Sequence, residues 1–253
     1  MRIFLFVDGF IGAQILKHLV SLNENIIGIA VQPERVRNNF DEIKKYSKLK
    51  NEKISTVGNK PDKNFADYLN KICPDIILVV SWPFILRENI FLIPKRGCVN
   101  FHMSFLPFNR GKKPNVWPII EGTPAGVSIH YINSGIDSGK ILFRKKIDVE
   151  IIDTAKTLFD KQLIASIILF KESWLKIKNN SINAIDNILS EGTFHFDKEF
   201  QKLEEINLDK QCYPLELINQ LRAKTFAPHE GAYFIHNGRK VFIRIELFYG
   251  DLT

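Results

Sequence analysis

Three polar residues in the middle of the chain have the types and the spacing that acyl transfer needs. Asn100 and His102 lie two positions apart after the apolar residues 97–99, so on an extended strand both side chains point to one face. A second apolar segment, residues 127–132, precedes a turn with two glycines that carries Asp137. Because such a turn can return a carboxylate to the same end of a sheet, we predict that the three side chains converge.

In an acyl transfer, a neutral donor stabilises negative charge on oxygen, and a base with a pKa near neutrality takes the proton of the attacking amine. We assign the first role to Asn100, joined by His102, and the second to His102. Asp137 would orient the imidazole and stabilise its protonated form. Taken singly, asparagine and aspartate also stabilise turns. A strand histidine is usually a satisfied structural residue, as we expect for His130 and His195.

The motifs around these residues resemble those of the folate-dependent formyltransferases. N-x-H-x-S-x-L-P-x-x-R-G begins at Asn100, P-N-V-W ends at Trp117, and G-T-P-A-G-V and G-I-D-S-G follow. The P-N-V-W and G-T-P-A-G forms are similar to the branch that formylates amino sugars on nucleotides. Residues 192–195, 208–213 and 221–234 extend this resemblance into the tail.

The resemblance implies a transferase in which Asn100, His102 and Asp137 are catalytic. Its formyl donor would be N10-formyltetrahydrofolate, with no metal, and Asp137 would help to deliver a proton to the departing folate nitrogen. Its acceptor would be a nucleotide-linked amino sugar, such as dTDP-4-amino-4,6-dideoxyglucose or a 3-amino relative, used in surface polysaccharide such as O-antigen. Met103 and Phe105 replace the proline and leucine that are usual in the family, so they could reshape the acceptor pocket.

Further residues are predicted to bind the two substrates. Some lie where loops leave the carboxyl ends of strands, and the resemblance assigns them to the folate. They are Trp82, Phe84, Ile85, Leu86, Ile132 and Gly135. Others offer a helix start, a cation, an amide or an aromatic ring to a nucleotide sugar. They are Gly9, Phe10, Arg110, Lys113, Asn115, Trp117, Tyr213, Phe226 and Tyr233. A surface role for Arg110 and a packing role for the aromatic side chains remain open.

Composition is typical of a globular chain without membrane insertion. The 253 residues are 45% hydrophobic and 25% charged, and the apolar residues 164–170 are far fewer than the roughly 20 of a membrane span. Asp8 ends the apolar N-terminus early and no cleavage motif follows, so we expect no signal peptide. Three cysteines without metal-ligand spacing predict buried, reduced thiols and a cytoplasmic protein.

The net charge of +7, from 35 basic and 28 acidic residues, raises the question of an anionic partner. Basic and acidic residues are interleaved in helical patterns, so a solvated surface and attraction of an anionic small substrate both remain open. The sequence has no basic stripe interleaved with aromatic residues, so nucleic acid is not expected as a partner.

Alternating strand and helix patterns predict an α/β fold with a doubly wound, mostly parallel, Rossmann-like sheet. The first turn lacks the G-x-G-x-x-G spacing, so NAD is not expected. A long helix is predicted to begin near residues 153–155 and to end near Lys178. Short strands and turns follow, with a hairpin at Asn237-Gly238. We predict a catalytic domain over residues 1–180 and a small β-rich subdomain over residues 181–253 that could support a homodimer.

Two other functions remain open. The basic charge suits a methionyl-tRNA formyltransferase. However, the tail over residues 181–253 is shorter than the usual RNA-binding appendage of those enzymes. A catalytically silent protein that binds folate or a nucleotide sugar would keep the pocket and show binding without turnover.

Overall fold

The computed structural model describes residues 1–59 and 63–251. The chain divides into two compact units, each built from three segments. Unit 1 consists of Met1–His102, Ser128–Arg144 and Ser166–Asn187, and unit 2 consists of Met103–Val127, Lys145–Ala165 and Ile188–Thr253. The chain therefore leaves unit 1 directly after one of the predicted catalytic residues, His102.

Strands and helices alternate through most of the described residues. The strands are β1 (Ile3–Val7), β2 (Ile26–Val31), β3 (Ile54–Thr56), β4 (Ile76–Val80), β5 (Cys98–His102), β6 (Arg110–Gly111), β7 (Ala125–Tyr131), β8 (Ile141–Ile147), β9 (Phe194–His195), β10 (Ala232–His236) and β11 (Arg239–Ile243). The helices are α1 (Gly9–Ser21), α2 (Phe40–Ser47), α3 (Lys63–Ile72), α4 (Glu88–Phe91), α5 (Trp117–Glu121), α6 (Ala155–Asn179), α7 (Asp197–Gln201) and α8 (Pro214–Lys224). Short 3₁₀ helices occur at Asn51–Lys53 and Leu189–Glu191.

Seven strands form the central sheet in the order β3-β2-β1-β4-β5-β7-β8. Neighbouring strands from β3 to β5 pair in parallel, whereas β5 pairs with β7 in antiparallel fashion. The strand order reverses at β1, which has β2 on one side and β4 on the other, as in doubly wound folds. The sheet confirms the predicted α/β class.

The central strands are buried along their whole length because they contain only apolar residues. Every residue of β1 and of β4 is buried, as expected for parallel strands that are covered on both faces. The rings of Phe4 and Phe6 on β1 pack in the hydrophobic core of unit 1. One residue separates the end of β1 from Gly9, which begins α1 and has a φ of 64°, a conformation that favours glycine.

Helix α6 begins where the sequence predicts. The Thr154 hydroxyl accepts a hydrogen bond from the backbone N–H of Thr157 at 3.3 Å and so caps the first turn. Near the other end, the Glu24 carboxylate accepts hydrogen bonds from the Trp174 indole at 2.9 Å and from the Lys178 ammonium at 2.8 Å. The Glu24 side chain is only 4% exposed, so these bonds fasten the end of α6 to the segment before β2 within unit 1.

Helix α6, with 25 residues, is the longest helix in the described part of the chain. Charged residues such as Lys161 and Lys171 interrupt its apolar positions. Over residues 1–59 and 63–251, no helix combines the length and the apolar composition that crossing a bilayer requires.

The C-terminal part of unit 2 contains helices as well as the predicted strands. The hairpin of β10 and β11 forms around Asn237 and Gly238, which both have positive φ as this turn requires. Helices α7 and α8 form there too, although the sequence pattern predicts only short strands and turns. A signal for α8 is present in Pro214 at the first helical position and in Glu216, whose carboxylate accepts the Tyr213 backbone N–H at 3.4 Å.

The three cysteines are free, but only one of them is buried. Cys98 lies on β5 with 1% exposure, and burial raises the pKa of its thiol. The prediction of buried thiols is wrong for Cys73 and Cys212, which are exposed. Cys73 directly follows α3 in a left-handed backbone conformation, and Cys212 lies in the irregular segment before α8, so neither belongs to a buried element.

Candidate active site

Asn100 and His102 lie on β5, and Asp137 lies in the loop between β7 and β8, all within unit 1. His102 Nε2 is 3.6 Å from Asp137 Oδ2, and the two side chains are 11% and 14% exposed. This separation exceeds a hydrogen bond but permits strong attraction once the imidazole is protonated. The structure therefore brings the predicted imidazole and carboxylate together beside the strand that carries Asn100.

A fourth polar residue, His130, belongs to the same group. Antiparallel pairing of β5 with β7 sets Asn100 opposite His130, so their side chains emerge on one face of the sheet. Asn100 Nδ2 is 3.1 Å from His130 Nε2, which is itself 3.7 Å from Asp137 Oδ1. The carboxylate thus lies between two imidazoles. The sequence suggests only a structural histidine at this position, because strand register between β5 and β7 is not visible in a local pattern.

The charge state of His130 follows from its surroundings. The residue is 2% exposed, and burial lowers its pKa to about 4, although the Asp137 carboxylate acts in the opposite direction. The neighbouring His102 lowers the pKa further, and the hydrogen bond to the Tyr131 carbonyl raises it. His130 is therefore neutral near pH 7.

The loop that carries Asp137 has an unusual backbone conformation. Asp137 has a φ of 48°, in the left-handed region, which aspartate adopts more readily than most residues. The Asn187 side-chain amide donates to the carbonyl oxygens of Asp137 at 2.9 Å and Gly139 at 3.3 Å. A Cβ at Gly139 would run into the Tyr131 carbonyl oxygen. Gly139 is recognisable in the sequence as part of the motif G-I-D-S-G. Asn187 is 50 residues away from Asp137, and no local pattern indicates its role.

Several predicted folate residues lie near the carboxyl end of β4. The Trp82 ring packs edge-on against Phe84, with centroids 5.8 Å apart, and Ile132 packs against the same hydrophobic cluster as Trp82. Leu86 is buried, whereas Ile85 is 65% exposed. The buried indole Nε1 of Trp82 has no hydrogen-bond partner among the described residues. The loop thus offers apolar surface and one unused donor.

Two other predicted binding residues in unit 1, Gly135 and Gly9, each donate a hydrogen bond from the backbone N–H. Gly135, in the Asp137 loop, donates its backbone N–H to the Asn133 side chain at 3.1 Å. Gly9 donates its backbone N–H to the Asn38 carbonyl at 3.2 Å, and Phe10 is 46% exposed at the start of α1. Phe10 is therefore accessible to a ligand at this helix start.

Two predicted cationic contacts lie in unit 2, each against an aromatic ring. Arg110 is on β6, and its guanidinium carbon is 5.5 Å from the Phe194 ring centre on the paired strand β9. The Lys113 ammonium is 5.0 Å from the Phe200 ring centre, and Lys113 is exposed. The buried Arg110 Nε has no hydrogen-bond partner in the part of the chain that the structure describes. These cations are available to an anion.

Asn115 and Trp117 are buried in unit 2 and engaged with its interior. The Asn115 amide donates to the Ala155 carbonyl at 2.9 Å, at the start of α6. The Trp117 indole donates to the Lys112 carbonyl at 2.8 Å and stacks on the His195 ring at a centroid distance of 3.9 Å. Both side chains therefore have a packing role in the structure.

The three aromatic residues of the tail differ in accessibility. Tyr213 is 77% exposed at the start of α8. Phe226 packs against Phe159 with ring centroids 5.3 Å apart. Tyr233 lies on β10 with its ring 5.6 Å from that of Phe242. Tyr213 is the most accessible of the three for stacking on a ligand.

A family model described as formyl transferase matches residues 14–170. The chain belongs to the formyl transferase family. A second model, described as an N-formyltransferase dimerization C-terminal domain, matches residues 199–249 of this formyl transferase. The predicted family and enzyme class are confirmed.

Relatives within the formyl transferase family differ in length. The bifunctional polymyxin resistance protein ArnA of Wigglesworthia glossinidia brevipalpis is 33% identical over 205 residues, which are 81% of this chain but 31% of ArnA. The dTDP-4-amino-4,6-dideoxyglucose formyltransferase of Mycobacterium tuberculosis H37Rv is 31% identical over 195 residues, 77% of this chain and 83% of that protein. The methionyl-tRNA formyltransferase of Thermodesulfovibrio yellowstonii is 33% identical over 66% of this chain and 56% of its own length.

Among solved structures, the 4-N formyltransferase from Francisella tularensis superimposes with a TM-score of 0.82 and 26% identity. The match covers 98% of both chains. The formyltransferase fold is therefore confirmed over nearly the whole length of this family member. Over residues 1–59 and 63–251, no group of three or more histidine, cysteine, aspartate and glutamate side chains could hold a metal ion.

Proposed function

We propose that this chain transfers a formyl group from N10-formyltetrahydrofolate to the amino group of a nucleotide-linked amino sugar. The observation that carries the proposal is the 3.6 Å approach of His102 to Asp137 beside Asn100, in a member of the formyl transferase family. Similarity over 83% of a dTDP-amino-sugar formyltransferase and over 98% of a 4-N formyltransferase supports the sugar acceptor. dTDP-4-amino-4,6-dideoxyglucose and its 3-amino relatives are the first acceptors to test.

In the proposed mechanism, the Asn100 amide donates a hydrogen bond to the formyl oxygen and stabilises the negative charge that develops there. Loss of one such donor typically costs about 10²–10³ in rate. His102 takes the proton of the attacking amine, a role that typically contributes about 10²–10⁴. Asp137, 3.6 Å away, stabilises the resulting imidazolium and helps to return the proton to the leaving nitrogen.

The loop after β4 fits the folate. Bound N10-formyltetrahydrofolate supplies the formyl group and a nitrogen leaving group, with no metal. Apolar side chains and the unused indole N–H of Trp82 suit a flat ring that is partly polar. The proposed folate residues are Trp82, Phe84, Ile85, Leu86, Ile132 and Gly135.

For the nucleotide sugar, we propose that the side chains of Arg110 and Lys113 bind the diphosphate. A guanidinium with an unused buried Nε and an exposed ammonium both suit phosphate oxygens. The other predicted substrate contacts stay predictions. They are Gly9, Phe10, Asn115, Trp117, Tyr213, Phe226 and Tyr233.

The proposed organisation is a catalytic domain over residues 1–180 and a C-terminal subdomain over residues 181–253. Similarity of residues 199–249 to a dimerization domain supports a homodimer. We propose that the protein acts in the cytoplasm and that its formylated sugar is used for surface polysaccharide such as O-antigen.

The test is incubation of the purified protein with N10-formyltetrahydrofolate and a panel of dTDP-linked 4-amino and 3-amino sugars, with product detection by mass spectrometry. The expected result is a formamido sugar from at least one acceptor and none from the His102→Gln variant. Absence of product from every sugar would overturn the sugar acceptor. Formylation of methionyl-tRNA in a parallel reaction would then favour the tRNA enzyme, and ligand binding without any turnover would favour a silent binding protein.

A further inference from the structure

We infer that His130 is a positioning residue that fixes the side-chain amide of Asn100, so that one amide N–H is always presented to the formyl oxygen. The inference rests on the proposed function, because it concerns how that site is prepared for the reaction. It assigns His130 no contact with a substrate. Its basis is the 3.1 Å approach of Asn100 Nδ2 to His130 Nε2 across the pair of β5 and β7.

The proton of the His130 ring lies on Nδ1. This nitrogen is 2.8 Å from the Tyr131 carbonyl oxygen, and a carbonyl oxygen can only accept a hydrogen bond. A second proton on the ring would place a positive charge on a side chain that is 2% exposed. At neutral pH, Nε2 is therefore an acceptor without a proton.

An acceptor at Nε2 selects one of the two orientations of the Asn100 amide. If the amide oxygen faced Nε2, two lone pairs would meet, whereas the amide nitrogen donates a hydrogen bond there. The nitrogen carries two hydrogens, so the bond to His130 leaves the second hydrogen for a ligand. Without His130, both amide orientations become accessible, and only one of them presents an N–H in the required direction.

The surrounding sheet makes this selection rigid. Asn100 and His130 are direct partners in the antiparallel register, and a slip by one residue would turn the imidazole to the other face. Asp137 Oδ1 is 3.7 Å from the same Nε2 and cannot donate to it while ionised. Asn100 is therefore the donor that this nitrogen meets within hydrogen-bond distance.

The hydrogen bond can be tested without activity, by nitrogen-15 NMR of the histidine rings in the full-length protein at pH 7. The expected spectrum shows His130 neutral, with its hydrogen on Nδ1 and with an Nε2 shift that changes in the Asn100→Ala variant. A hydrogen on Nε2, or an Nε2 shift that is insensitive to Asn100→Ala, would overturn the inference. This result is independent of whether any amino sugar is formylated.

The kinetic test compares two replacements of the same ring. His130→Phe fills the space but removes the acceptor, so we expect kcat to fall by about 10²-fold with KM changed by less than about threefold. His130→Gln supplies a side-chain oxygen as acceptor and should restore kcat to within about tenfold of the wild-type value. In an Asn100→Ala background, His130→Phe should cost less than about threefold more, because the two residues act as one unit.

The matched control is His18→Phe, a histidine on α1 in unit 1 whose ring packs 5.9 Å from Phe170. It should leave kcat unchanged. Equal losses for the Phe and Gln variants of His130, or an additive loss in the Asn100→Ala background, would overturn the inference. A wild-type protein that formylates no acceptor would instead overturn the proposed function, and the NMR result would still decide the hydrogen bond.

Discussion

His102 and Asp137 lie at a separation that suits stabilisation of a protonated imidazole by the carboxylate. At 3.6 Å, the carboxylate interacts weakly with a neutral imidazole and strongly with an imidazolium. In the proposed mechanism, the attraction therefore grows as His102 takes the proton of the amine. An interaction that strengthens along the reaction lowers the barrier more than one that is already present in the ground state.

Replacing the carboxylate of Asp137 by an amide tests this role. Asp137→Asn keeps the shape and tolerates the φ of 48°, but it cannot stabilise an imidazolium, so we expect kcat to fall by about 10²–10³-fold. Steady-state kinetics and the melting temperature together check the result, and the melting temperature should not change. The control is Asp67→Asn, on the exposed face of α3, which should leave kcat unaltered. Wild-type kcat in Asp137→Asn would remove this residue from the mechanism.

Burial of His130 makes folding sensitive to acid. Its pKa in the folded chain is about 4, below the ordinary value of 6.5, so the unfolded chain binds the proton more readily. The contribution of neutral His130 to the free energy of unfolding is therefore fully present above pH 6.5. It is lost as the pH falls towards 4, by up to about 3 kcal/mol. Urea unfolding at pH 7.5 and pH 4.5 should show a larger loss for the wild type than for His130→Phe. Equal losses would contradict the low pKa.

At the scale of elements, the loop between β7 and β8 determines where the carboxylate lies. Gly139 closes this loop against the Tyr131 carbonyl, and Asn187 donates to the carbonyls of Asp137 and Gly139. We therefore expect a change in either residue to alter kcat through the position of the loop.

Adding one methyl group to this loop should disturb both stability and activity. In Gly139→Ala, the new Cβ meets the Tyr131 carbonyl, so the loop must shift at a cost of about 1–3 kcal/mol in unfolding free energy. We also expect a lower kcat, because the carboxylate moves relative to His102. Urea unfolding and steady-state kinetics measure the two effects. Gly250→Ala, which meets no atom within 4 Å, is the control, and identical behaviour of the two variants would refute the close approach.

Much of the central sheet, the start of α6 and the hairpin of β10 and β11 could be predicted from the sequence because their signals are local. The apolar segments of β1 and β4, the cap at Thr154 and the turn at Asn237 and Gly238 each act over a few residues. Residue spacing also placed Asn100 and His102 on one strand. These elements form where their own sequence favours them.

Other features depend on contacts between distant segments. The pairing of Asn100 with His130 follows from strand register, and the anchoring of the Asp137 loop by Asn187 spans 50 residues. Neither leaves a periodic or compositional signal in a single sequence. Helix α8 is a different case, since Pro214 and Glu216 signal its start but the surrounding turn residues favour a loop interpretation.

At the scale of the whole molecule, we predict a dimer with a mass twice the 29.2 kDa of one chain. Residues 199–249 match a dimerization domain, and their exposed apolar side chains include Phe242 at 41% and Phe248 at 82%. Phe242→Glu should shift the protein towards monomer in analytical ultracentrifugation, because a buried charge opposes association. Leu175→Glu, 62% exposed on α6, is the matched control outside this region. A monomeric wild type would contradict the prediction.

Cys98, the buried one of the three thiols, makes local opening of β5 observable. It lies two residues before Asn100, whereas the other two thiols are exposed. A colorimetric disulfide reagent should therefore modify two groups promptly, and the third at a rate set by fluctuations that detach β5 from its neighbours. A ligand that stabilises β5 would slow the modification of this third thiol. The modification rate of the wild-type protein would therefore report ligand binding without an added label.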